Sequence, residues 1–284
     1  MKKLKNILVP TDFSVTARNA FHYAEKLAQA TGTEITVAHV NEFFIPISDI
    51  AVAPLSRNEE PQMDEAMENF IHEEDISKGV LTKKDIKIRI LKGNPMHRIV
   101  DLSKENGTGW IVMGTTGLQD FISKIIGSTS FYVVNQAQCP VFLISRDVKW
   151  RPIKRIMFAS NVLSSNPEML KHITDFAEIF NAAVHFVHVD DGANSSVQVT
   201  DAIWEELLTR EAPTISFQIH SIGKEDTVES LNKYAVEHKI DLVAFISSHR
   251  SFWQHLIHKS VTERFALTST CPMLVMHFDD KKYV

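Results

Sequence analysis

In the first half of this chain, Met113-Gly114-Thr115-Thr116-Gly117 is followed, after nine intervening residues, by Gly127-Ser128-Thr129-Ser130. Glycines at 114 and 117 let a loop's backbone approach a ligand closely, and a Gly-Ser-Thr-Ser helix start offers amide hydrogens and hydroxyls to an anion. That combination suits a phosphate chain. Far upstream, Val9-Pro10-Thr11-Asp12-Phe13-Ser14 ends an apolar stretch on a carboxylate. Each piece alone has a plainer reading. Asp12 reads as an acid near the start of a helix, worth some tenths to about 1 kcal/mol. Val40 reads as core, and Ser128 to Ser130 as a helix cap. The joint spacing is what points to a nucleotide site.

The elements that must position these residues are legible from periodicity. Asn6-Ile7-Leu8-Val9-Pro10 is an apolar strand, followed by a helical stripe at Ala17, Ala20, Phe21, Ala24, Leu27 and Ala28 that stops at Gly32. A second strand runs from Ile35 to Val40, a third alternates over Ile86–Ile90, a helix covers the neighbourhood of Met96–Asn106, and further strands fall at Trp110–Met113 and Val141–Ile144. The second half copies the unit: Ile156–Ala159, a stripe through Leu170, Ile173, Phe176 and Ala177, then Val184–Val189, Ile215–Ile219, a helix over Thr227–His238, and strands at Asp241–Ile246 and Met273–Met276. His39-Val40 and His188-Val189 stand 149 residues apart, as do Gly32 and Asn181, and asparagine keeps the left-handed helix stop that glycine provides. Asn166-Pro167-Glu168 reads as a cap, a first-turn proline and a favourable acid.

Strands alternating with helices imply parallel sheets covered on both faces, an α/β architecture in each half. The charged segment Ser145–Pro152 is the expected boundary, giving domains over residues 1–147 and 152–284. The excursion Asn41–Pro61, with Pro46, Pro54 and Pro61, reads as a tolerated insertion or as a lid or partner surface.

Composition narrows the function classes. With 44% apolar and 23% charged residues and no apolar run near the roughly 20 residues that a bilayer span needs, membrane insertion is disfavoured. A net charge of −5 without a basic block disfavours nucleic acid as a partner. Cys139 and Cys271 each precede a proline and an apolar run, which suits equivalent repeat positions in a reducing cytoplasm better than a disulfide.

The pattern Gly-x2-Gly-x9-Gly-Ser after a fourth strand, together with Val9–Ser14 and Cys139-Pro140-Val141, resembles the ATP-binding universal stress proteins, and the resemblance extends over both halves. It implies two tandem Rossmann-like domains, each a five-stranded parallel sheet ordered 3-2-1-4-5, with the ligand at the switch point between strands one and four. By the same resemblance Asp12 and Val40 are adenine contacts, Gly114 and Gly117 wrap the ribose and first phosphate, and Gly127 with Ser128 holds the outer phosphates. Thr129 and Ser130 are added hydroxyl donors, and Pro10, Thr11, Met113 and Thr115 complete the set. The implied cofactor is ATP or AMP, with magnesium as an optional companion. The family's habit of pairing through last strands implies that Val141–Ile144 and Met273–Met276 associate, so that the chain carries its own pseudo-dimer. The apolar Phe252-Trp253 raises a further homodimer.

The second half departs from the motif. Ile246-Ser247-Ser248-His249 stands where the first half has Gly114–Gly117, Lys259 replaces Gly127, and Asn161 replaces Asp12. Weak or absent ATP binding is expected there. His255 and His258 share a helical spacing but lack further ligands at metal-site spacing, so they read as surface or cap residues. No Gly-x4-Gly-Lys-Ser/Thr loop is present, and Asp120 is the only acid within the phosphate motif. The expected role is a cytoplasmic, non-catalytic, stress-response sensor or chaperone-like module. The alternatives are slow ATP hydrolysis or nucleotidyl transfer, and a scaffold with a vestigial site.

Overall fold

The computed structural model describes residues 6–42, 59–72, 86–105, 107–116, 126–160, 167–189, 215–222, 227–247, 269 and 271–277. The first half runs β1 (Asn6–Thr11), α1 (Val15–Thr31), β2 (Glu34–Asn41), α2 (Glu59–His72), β3 (Ile86–Lys92), α3 (Pro95–Glu105), β4 (Trp110–Gly114), α4 (Ser128–Gln136) and β5 (Val141–Ile144). The second runs β6 (Arg155–Ser160), α5 (Pro167–Phe180), β7 (Ala183–Val189), β8 (Phe217–Ile222), α6 (Thr227–Glu237), β9 (Leu242–Ser247) and β10 (Met273–His277). Residues 43–58 of the long excursion, Asn161, Asn166, and the segment carrying His249, Phe252, Trp253, His255, His258, Lys259 and Ser260 lie outside the described residues.

Local chemistry explains the helix limits. The Ser14 side chain accepts the Ala17 amide at 3.1 Å and starts α1. Gly32, at φ 67°, ends it by donating to the Ala28 carbonyl. Asn181 repeats the stop after α5 at φ 49°, the asparagine substitution keeping the left-handed geometry.

The ten strands among the described residues form one sheet in the order β3-β2-β1-β4-β5-β10-β9-β6-β7-β8. Each half has the order 3-2-1-4-5 of its own strands and is parallel throughout, with Thr11 opposite His39 and Leu8 opposite Ile111. The last strands meet antiparallel, with Met273 against Leu143 and Val275 against Val141, so the two expected sheets are fused into one. The third strand of the second half starts at Phe217 rather than Ile215. The β7 ladder begins with Val184 opposite Phe217, while Ile215 is spent packing on the core.

The junction is aromatic and polar at once. Trp110 and Phe142 meet Phe176 at 5.8 and 6.3 Å, and Trp110 stacks on Phe180 at 6.0 Å. Asn19 of α1 donates to the carbonyls of Ser145 and Val148, pinning the connecting segment. On the other side Asp241 accepts the amides of Lys154 and Arg155, and Arg151 lies 3.3 Å from its second oxygen. Both cysteines are free thiols; burial pushes Cys139 up to about 12, and the Cys271 thiol donates to the Ile240 carbonyl. No helix among the described residues is long and apolar enough to cross a membrane.

In the second half, His185 of β7 is buried beneath α6. Its Nδ1 is 2.9 Å from the Tyr234 hydroxyl, and the rings of His238 and His220 lie 5.6 and 6.4 Å away. Burial first, then His238, His220 and Arg155, push the His185 imidazole from 6.5 down to about 4. The folded chain thus keeps this ring neutral where the unfolded chain protonates it, so stability present above pH 6.5 is lost as pH falls toward about 4. In urea denaturation followed by circular dichroism, the wild-type midpoint is expected to fall between pH 7 and 5. His185→Gln should show a shallower decline, and identical slopes would remove the histidine from the explanation.

Candidate functional site

Because the winding reverses between β1 and β4, the loops leaving these strands diverge and open a crevice at their carboxyl ends. There a cavity of about 500 Å³ is lined by Pro10, Thr11 and Asp12 at the end of β1, by Ala38 through Glu42 at the end of β2, by Met113, Gly114 and Thr116 at the end of β4, and by Gly127 through Ser130 at the start of α4. Ala17 of α1 and Pro95 and Ile99 of α3 complete it. The volume falls in the ordinary range for small-molecule pockets.

The β1 side is a tight turn held by its own side chains. Thr11 Oγ1 accepts the Phe13 amide at 2.9 Å, and Asp12 Oδ1 accepts the Ser14 amide at 3.1 Å. Phe13 sits at φ 64°, a region bulky residues rarely occupy. Asp12 thus accepts the amide of the helix-cap residue Ser14 and also lines the cavity. Val40 is likewise both core, at 8% exposure, and cavity wall.

The β4 side is drawn close to α1. A Cβ on Gly114 would meet Thr16 Cγ2 at 2.9 Å and the Thr16 and Ala17 backbone at 3.2 and 3.3 Å. From there the loop is tied to α4. The Gly127 amide donates to the Thr115 carbonyl at 2.8 Å, and the Ser130 hydroxyl donates to the Gly114 carbonyl at 2.8 Å. Gly127 caps α4 without a side chain, and the first turn holds no acid. The amides there, which have no acceptor within the helix, form the positive end of the α4 dipole at the cavity. No lysine or arginine lines the cavity among the described residues; its charged members are Asp12 and Glu42.

Two expected residues act differently from their expectation. Thr115 is buried at 2% and does not line the cavity: its amide donates to Ile144 and its carbonyl receives Gly127, making it a splice between loop and sheet. Ser130 lines the wall, but its hydroxyl hydrogen is committed to Gly114 and is not offered to a ligand. Gly117 lies outside the described residues. Sequence reasoning missed His39, Asn41, Glu42, Thr116, Pro95 and Ile99 as cavity residues. Asn94-Pro95 carries the same cap-and-proline signal as Asn166-Pro167 and marks a helix start at the crevice. Among the described residues no group of three histidine, cysteine or acidic side chains is placed to hold a metal ion.

A ten-stranded sheet built of two doubly wound halves, with a cavity at the switch point of the first, defines the class of protein. The universal stress protein family model matches residues 3–145 and again 152–277. The chain belongs to that family, with two copies in tandem. A universal stress protein of Methanocaldococcus jannaschii is 29% identical over 155 residues, covering 50% of this chain and 95% of the relative. One from Thermus aquaticus is 32% identical over 140 residues, covering 49% and 98%. The crystal structure of a universal stress protein from Archaeoglobus fulgidus shares the fold across 97% of both chains, at TM-score 0.68 and 19% identity.

The contact at Gly114 generates a test of the β4 side. Gly114→Ala should destabilise by about 1–3 kcal/mol in urea denaturation, through overpacking. Adding Thr16→Ser, which deletes the nearest methyl but leaves the backbone contacts, should restore part of the loss. No loss in the single variant would mean that β4 and α1 separate freely.

Proposed function

We propose that the first half binds an adenine nucleotide, ATP or AMP, and that the chain serves as a stress-response sensor or chaperone-like module rather than as an enzyme. The supporting observation is the convergence of three elements on one cavity: the Asp12 turn, the close-packed Gly114 strand end and the start of α4, which no side chain caps. With no cationic side chain lining the described wall, phosphate charge would rest on backbone amides, the Ser128 and Thr129 hydroxyls and the α4 dipole. Asp12 and Val40 would meet the base, and Gly114 the ribose side. Replacement of both loop glycines by Ile246 and His249 supports leaving the second half without an equivalent site. The role needs no catalytic base, and a change in shape or partner on binding would be its output.

Ser128→Glu discriminates this reading from a vestigial cavity. A glutamate in the first turn is favourable to the helix dipole, so stability should hold or rise slightly. The same charge repels phosphates. In calorimetric titration, ATP should bind wild type and bind the variant at least about tenfold more weakly, a difference of roughly 1.4 kcal/mol. Release of ADP should not accompany binding. Equal affinity in both proteins would exclude phosphate from the α4 start, and no heat with either nucleotide would leave the scaffold reading.

A further inference from the structure

We propose that His39 is a positioning residue for the proposed nucleotide site, holding the Thr11–Asp12 peptide and the Phe13 ring so that the Asp12 turn stays in its ligand-facing conformation. The inference rests on the nucleotide reading above. His39 lies opposite Thr11 in the β1–β2 ladder, and its Nδ1 is 2.8 Å from the Thr11 carbonyl oxygen. A carbonyl only accepts, so Nδ1 carries the hydrogen and donates it. The carbonyl belongs to the peptide that leads directly into Asp12, so this bond sets the plane from which the carboxylate departs.

The same imidazole also meets the Phe13 ring, with centroids 4.5 Å apart at 31°. Phe13 reaches that position only through its left-handed backbone at φ 64°, a conformation that persists where surrounding contacts over-determine it. Phe70, in the last turns of α2, closes the stack edge-on at 5.7 Å. Arg18 of α1 in turn holds Phe70, donating to its carbonyl at 3.1 Å and lying 4.8 Å over its ring. Strand alternation puts His39 on the face with Ile35 and Val37, while Ala38 and Val40 belong to the opposite core layer. His39 thus joins the turn's backbone to its aromatic buttress. Without the bond, the Thr11 carbonyl loses its donor and Phe13 loses one of the contacts that hold it left-handed.

Two substitutions separate the donor from the bulk. In His39→Asn the side-chain amide can occupy the place of Nδ1 and keep the bond to Thr11; in His39→Leu the apolar cover remains and the donor is lost. Calorimetric affinity for ATP should fall about tenfold in His39→Leu and stay within about threefold of wild type in His39→Asn. In the nucleotide-free proteins, amide hydrogen exchange at Phe13 and Ser14 should accelerate in His39→Leu and not in His39→Asn. Wild-type affinity in His39→Leu, or unchanged exchange at both amides, would overturn the positioning role. Absence of ATP binding in wild type would instead overturn the nucleotide reading, and the exchange data alone would then decide whether His39 holds the turn.

Discussion

The site depends on the absence of a side chain at Gly114. A single Cβ there would stand 2.9 Å from Thr16, so the end of β4 and the start of α1 approach as closely as they do only because the residue is glycine. This contact brings β4 beside the Asp12 turn, since both α1 and that turn leave the end of β1. It also sets where the following loop departs. Gly114 and Thr115 offer their carbonyls to Ser130 and Gly127, which brings the start of α4 to the same crevice. One steric constraint thus organises three segments distant in sequence, and the cavity is the space they enclose.

Much of this was legible beforehand because it follows from periods and stops. The matched His39-Val40 and His188-Val189 pairs, and the Gly32 and Asn181 helix ends, are local signals that the structure reproduces at φ 67° and 49°. The association of β5 with β10 came from family resemblance, since nothing in Val141–Ile144 or Met273–Met276 alone names its partner; its antiparallel sense is seen only in the structure. The rest required three dimensions. Thr115 sits among motif residues yet turns inward to splice loop and sheet, because alternation at a strand end decides which side chain faces the crevice. Asn41, Glu42 and Ile99 enter the wall through topology, which carries β2 and α3 to the crevice without any motif of their own. The left-handed Phe13 has no sequence signal either; its amide is held by Thr11 Oγ1 and its ring is received by His39 and Phe70.

The two halves share a scaffold, and their motif residues differ. Their sheets are continuous, and the Trp110, Phe142, Phe176 and Phe180 cluster joins them across the junction, so each half contributes to the other's core. Gly114, which allows the close approach of β4 to α1, and Gly117 are replaced in the second half, while the strand order is retained. The proposed division is one copy that binds and one that supports.

Stoichiometry tests that division most directly. The full chain, purified without added nucleotide and then saturated with ATP, would be weighed by native mass spectrometry beside the nucleotide-free protein. A single bound ATP per chain, with occupancy reduced in Ser128→Glu at limiting ATP, is the expected result. No bound nucleotide would contradict a functional site in the first half, and two would contradict the loss of the second.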